Sequence, residues 1–164
     1  MVGVKELNKS IKSTIRKNLK IDIDCEFSNN FAWLYEEDII TYTLLEADQS
    51  KRTFDNFLTN HGAEIADDID SFVYSLLHEV GHYHTYFSMP LIKKMISRFF
   101  ERIIQFIIFH PPENDFIYSL YYYLPHEKIA SIWAIKHDPK VKKQMRKDIA
   151  KALLKFYQKN YAWQ

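Results

Sequence analysis

Residues 65–86 read IADDIDSFVYSLLHEVGHYHTY, and the fold turns on how this stretch is read. Ile65, Ile69, Phe72, Val73, Leu76 and Leu77 recur at three- and four-residue spacing. That spacing predicts one long helix from about Ile65 to Tyr86. On such a helix His78 and His82 stand one turn apart on one face. Two imidazoles so placed grip one metal ion at about 2.0–2.1 Å from each ring nitrogen. Glu79 follows the first histidine, rotated by about 100° around the axis. From there a carboxylate reaches a water beside the metal without being a ligand itself. Zinc lowers the pKa of such a water to about 7, and the carboxylate takes its proton. The pattern His-Glu-x-x-His therefore points to a zinc-dependent peptidase, with His78 and His82 as ligands and Glu79 as general base. Gly81 adds to this. Glycine inside a helix costs about 1 kcal/mol relative to alanine, so one here suggests close approach by a strand or loop, or room for substrate.

A catalytic zinc takes a third protein ligand and keeps one position open. The later candidates are His84, His110, His126, His137, Glu113 and Glu127. His84 lies two residues past His82 and so points to another face. His61 precedes the helix and reads as a surface residue. Glu127 has the best setting, in Pro125-His126-Glu127-Lys128-Ile129-Ala130-Ser131-Ile132-Trp133-Ala134. On a helix Glu127, Ala130 and Ala134 share one face. Two alanines in line with a carboxylate let this helix approach the zinc helix closely, while Ile129 and Trp133 are expected in the core. Tyr118, Tyr121, Tyr122, Tyr123 and His126 lie just ahead of or beside Glu127 and are candidates for stabilising an oxyanion.

Outward from the site, the chain divides by period. Residues 4–19 place Leu7, Ile11, Ile15 and Leu19 four apart, which predicts an amphipathic helix with a basic outer face. Residues 21–27 (IDIDCEF) alternate as a half-buried strand does. Ser28-Asn29-Asn30 marks a turn. Residues 31–35 and 38–45 read as second and third strands. Helices follow at about 51–60, 65–86, 90–109, 125–136 and 138–160, with a helix or turn over 116–123. Asp138-Pro139 resembles an N-cap followed by proline at the first helical position. The order predicts an α+β fold, with a small three-stranded or slightly larger sheet beside the long helix and a mainly helical second half.

The chain has 164 residues, 47% of them apolar and 16% aromatic, which suits a single domain over 1–164 and excludes disorder. Its one cysteine, Cys25, excludes an internal disulfide and a Cys-rich zinc finger, and reads as a buried small side chain in a reducing setting. The most apolar run, Phe99 to Phe109, is broken by Glu101, Arg102 and Gln105 and is too short to span a bilayer. No signal peptide is expected, so the protein is expected to be soluble and cytoplasmic, with no membrane partner.

The net charge of +1 conceals an uneven distribution. Residues 1–20 carry six bases and one acid, 21–79 two bases and fourteen acids, and 136–164 nine bases and two acids. The simpler reading packs the basic end helices beside the acidic middle; the sharper one is a basic surface that meets an acidic partner or nucleic acid. No motif supports nucleic-acid binding, and none is predicted.

The two ligand-bearing segments together resemble the gluzincin type of metallopeptidase, and more narrowly the ImmA/IrrE family of compact bacterial and phage peptidases. That family pairs a His-Glu-x-x-His helix with a later Glu-x-x-Ala-x-x-aromatic-Ala helix. Here these are His78-Glu79-Val80-Gly81-His82 and Glu127-Lys128-Ile129-Ala130-Ser131-Ile132-Trp133-Ala134. The resemblance spans about residues 30–137 through roughly a dozen positions. It implies a zincin-like fold, one zinc ion held by His78, His82 and Glu127, and Glu79 as general base. It also implies a protein or peptide substrate, including a regulatory protein such as a repressor in a mobile element. An edge strand would line the cleft and take up substrate by strand addition, and residues 38–45 are the candidate for it. Two alternatives stand beside this reading. One is a zinc-containing binding or regulatory module with little turnover. The other is an SprT-like protease acting on DNA-bound proteins, whose usual third histidine and Cys-rich ribbon are not matched here. The sequence is silent on oligomeric state.

Overall fold

The computed structural model describes residues 3–34, 36–44, 49–86, 88–108 and 120–161. In chain order the elements are α1 (Val4–Leu19), β1 (Asp24–Phe27), β2 (Ala32–Leu34), β3 (Ile39–Tyr42), α2 (Gln49–Asn60), α3 (Asp68–Tyr86), α4 (Leu91–Ile108), α5 (Pro125–Lys136) and α6 (Pro139–Tyr161). The fold is α+β, predominantly helical, with a small mixed sheet. No helix among the described residues is long and apolar enough to cross a membrane. Residues gather into two compact units.

The first unit comprises the described residues of Met1–Leu44, Ala66–Leu76 and His137–Gln164. Leu7, Ile11 and Ile15 of α1 are fully buried, as are Met145 and Ile149 of α6, and the two helices pack together. Asp138 caps α6 through a hydrogen bond accepted from the Lys140 N–H at 2.8 Å, with Pro139 in the first turn, as the sequence predicts. Asn8 ties α1 to the sheet: its side-chain oxygen accepts from the Tyr42 hydroxyl at 2.6 Å and from the Phe27 N–H at 3.2 Å. In β1, Cys25 faces inward and Asp24 and Glu26 outward, which fits the alternation read from the sequence. Burial pushes the Cys25 thiol up to about 12.

The sheet order is β1-β3-β2. β3 pairs in parallel with β1 (Asp24 with Ile39, Phe27 with Tyr42) and antiparallel with β2 (Ala32 with Thr41, Leu34 with Ile39). This corrects the expectation for residues 38–45. Their strand is the middle one, and neighbours on both sides already use its backbone donors and acceptors, so it cannot receive an added strand. The reason is chemical: Ile40, Thr41 and Tyr42 are all buried, and a strand of β-branched and aromatic residues belongs in the sheet interior. Phe72 of α3 meets Phe31 and Tyr42 edge-on at 5.2 and 5.9 Å, so the sheet lies beside the first half of the long helix, as expected.

That helix starts later than its apolar period suggests. Asp67 accepts hydrogen bonds from the Ile69 and Asp70 N–H groups at 3.0 and 2.9 Å and so caps α3. Arg146 of α6 pairs with Asp67 and Asp70, and Lys12 of α1 with Asp22 and Asp24. Bases of the two end helices therefore do meet acids of the middle.

The second unit comprises the described residues of Leu45–Ile65 and Leu77–Lys136. Phe54, Phe57 and Leu58 of α2, Val80 of α3, and Ala130 and Ala134 of α5 are buried in it. α5 begins at Pro125, where the sequence places it. The face of Glu127, Ala130 and Ala134 is buried as expected, but the core placement of Ile129 and Trp133 is corrected. Ile129 and Trp133 are only half-buried, while Glu127, Ala130, Ser131 and Ala134 are buried. Small side chains permit close approach on that face and leave the bulky ones at its rim.

Candidate metal centre

Gly81 sets the distance between the two helices that carry the site. A Cβ there would lie 2.9 Å from the Ala130 carbonyl oxygen and 3.1 Å from the Ala130 Cα. Both are backbone atoms that cannot swing aside, so only glycine permits this crossing. The close neighbour is another helix, not the strand or loop expected from sequence.

At this crossing His78, His82 and Glu127 converge, all buried in the second unit. His78 Nε2 lies 2.9 Å from Glu127 Oε2, His82 Nε2 lies 3.0 Å from His78 Nε2, and His82 Nε2 lies 3.3 Å from Glu127 Oε2. The three atoms form a nearly equilateral triangle. A tetrahedral zinc about 2.0–2.1 Å from each ligand sets neighbouring ligand atoms about 3.4 Å apart. The observed sides come within about half an ångström of that. Two imidazole nitrogens and one carboxylate oxygen also form a donor set that suits zinc. Three lone pairs brought this close, away from water, favour a positive charge among them. The group could hold a metal ion.

Further contacts fix the donors. Ser131, four residues after Glu127 on the same face of α5, has its hydroxyl 3.0 Å from His78 Nδ1. A hydroxyl both donates and accepts. By accepting the Nδ1 proton it leaves the Nε2 lone pair facing the other two donors, the usual second contact of a metal-bound imidazole. His126 Nε2 lies 3.1 Å from Glu127 Oε1, so the two carboxylate oxygens have separate duties: Oε2 joins the triangle and Oε1 accepts from His126. Burial alone would raise the Glu127 pKa. The charge of His82 and the ring nitrogens of His126, His78 and His82 facing the carboxylate outweigh it and hold the carboxyl well below the ordinary range. Phe54 meets the His78 ring edge-on at 4.9 Å and gives the site an apolar wall.

Glu79 is buried on α3, next to His78. His84 stays out of the triangle, and its ring lies 5.4 Å from Trp133. His137 is not in the group either. The Tyr121 ring lies 6.5 Å from that of His126, Tyr122 joins Phe54 and Phe57, and Tyr123 is half exposed. Tyr118, His110 and Glu113 lie outside the described residues. The sequence reading missed Ser131 and Phe54. For Ser131 the signal was available, since the spacing that aligns Ala130 with Glu127 also aligns Ser131. Nothing in the sequence brings Phe54 to His78.

Comparison with protein-family models, curated proteins and solved structures finds no match.

Proposed function

We propose that this chain is a zinc-dependent peptidase of the gluzincin type, similar to the ImmA/IrrE peptidases. One observation carries the reading: His78 Nε2, His82 Nε2 and Glu127 Oε2 stand 2.9–3.3 Å apart on two helices locked at Gly81 and Ala130. His78, His82 and Glu127 would hold the ion. When bound, zinc supplies a Lewis acid that acidifies water and polarises a carbonyl. Glu79, beside the first ligand, accepts the proton of the attacking water and returns it to the leaving amine. Ser131 and His126 keep His78 and Glu127 in their bound orientations, and the apolar wall at Phe54 strengthens the electrostatics of the centre. A protein substrate such as a regulatory repressor, and a cytoplasmic place of action, belong to the same proposal and rest on the resemblance and on the single buried Cys25.

The test joins metal analysis to hydrolysis. Purified protein carries about one zinc per chain. Glu79→Gln keeps the zinc and loses cleavage of a peptide library, while His82→Ala loses the zinc. Undiminished cleavage by Glu79→Gln would defeat the assignment.

A second reading draws on the burial of the triangle, with His78 at 4% and Glu127 at 3% exposed. The same ligands would then hold a structural zinc in a binding module. Zinc-loaded protein inert on every peptide, with all four coordination positions filled from the chain, would select it.

A further inference from the structure

Helix α4 presents to solvent what a helix of a folded unit ordinarily buries. Leu91, Ile92, Met95 and Phe99 are 74%, 70%, 62% and 63% exposed, and Ile96, Phe100 and Ile103 are exposed as well. At 100° per residue these seven side chains sweep an arc of about 180° from Leu91 round to Phe100. The only buried side chain described on α4 is Ser97, and the helix packs against α5.

Bases flank the apolar arc on both sides. Arg98 stands just outside its Leu91 border, Arg102 just inside it between Leu91 and Met95, and Lys93 just outside its Phe100 border. Glu101 is the only acid between Leu91 and Ile108. Arg98 donates to the Tyr86 hydroxyl at 2.6 Å, and the Lys94 ammonium lies 4.6 Å above the Tyr86 ring. Tyr86 thus steadies two of the cations without neutralising either.

This pattern selects among occupants. A second copy docking by the same face would set basic rim against basic rim. One partner helix covers a narrower stripe than about 180°. A wide apolar arc with Phe99 near its centre and Lys93, Arg98 and Arg102 toward its edges matches a helix lying in the plane of an anionic lipid surface. Apolar side chains enter the acyl boundary and the basic stems bring their charges up to the phosphates. Lying on a bilayer differs from crossing one, so the absence of a spanning helix among the described residues is no obstacle.

We propose that α4 docks this protein on an anionic phospholipid bilayer through Ile92, Met95 and Phe99, with Lys93, Arg98 and Arg102 on the headgroup phosphates. The expectation of no membrane partner rested on the lack of a spanning run, which peripheral attachment does not need. The proposal is independent of the peptidase reading, since vesicle binding reports on α4 and zinc content on the triangle.

The test is co-sedimentation of the full chain with vesicles of phosphatidylcholine alone or of phosphatidylcholine with phosphatidylglycerol. The protein sediments with the mixed vesicles, stays in solution with the neutral ones, and is released as salt is raised. Phe99→Asp, and separately the pair Arg98→Gln with Arg102→Gln, each weaken binding at least about tenfold, each base counting for about fivefold. Zinc content and melting temperature stay unchanged, because these side chains are exposed. Failure to sediment with the mixed vesicles overturns the proposal, as does equal binding by wild type and Phe99→Asp. A lipid-free dimer that Phe99→Asp dissolves would give the face to a second copy and overturn it too.

Discussion

Two neighbouring helices of the second unit invert the usual distribution of polarity in opposite senses. α5 buries a carboxylate and a hydroxyl, Glu127 and Ser131, beside two alanines. α4 exposes leucine, isoleucine, methionine and phenylalanine along most of its described length. Ordinary folding energetics explains neither. A buried carboxylate needs partners, and α3 and α5 together supply them: His78, His82 and His126 all lie within 3.3 Å of Glu127 oxygens. Exposed apolar surface of this extent marks an interaction. The lesson is that a departure from apolar-in, polar-out points to function in either direction, toward an ion in one case and toward an external surface in the other.

The comparison breaks most readily at Glu127. Glu127→Ala should abolish stoichiometric zinc, measured by elemental analysis after dialysis, because two imidazoles alone make an incomplete site. If zinc stays at one per chain, the buried carboxylate has some other purpose. Next is Gly81→Val, whose side chain meets the Ala130 backbone. It should destabilise the protein by about 1–3 kcal/mol in urea unfolding, the usual cost of overpacking. Ser131→Ala should keep the fold and weaken zinc about 10- to 100-fold in competition with a chelator. An unchanged affinity would make Ser131 mere filling. The smallest effect belongs to α4: without lipid, Phe99→Ser should change stability by no more than about 0.5 kcal/mol. A larger loss would mean that this face supports the fold, and the contrast with α5 would weaken.

Much of this was legible from residue spacing. His78, Glu79, His82 and Glu127 were singled out because helical geometry makes four-residue intervals into neighbours, and the two helices do bring three of them together. Pro125 and Asp138-Pro139 marked helix starts because their chemistry is local. What escaped depended on partners distant in sequence. The middle place of β3 follows from which strands flank it, and three short runs do not encode their spatial order. Ile129 and Trp133 were expected inside because they are large and apolar, yet the close crossing at Gly81 gives the interior to Ala130 and Ala134. In the α4 region the sequence reading singled out the apolar run Phe99 to Phe109 as too short to span a bilayer, and hydropathy alone does not show which side of such a helix is covered.

The pairing of α1 with α6 has a consequence for how the chain is made. Lys17 meets Asp148 across 131 residues of sequence, and Lys159 meets Glu6 across 153. The side of α1 that packs on α6 therefore stays uncovered while the ribosome is still adding the middle of the molecule. The first unit closes only when α6 emerges, so its completion is late and nonlocal. Until then the newborn chain exposes the side of α1 that α6 covers. A chaperone that recognises such faces would find its binding site there until α6 docks.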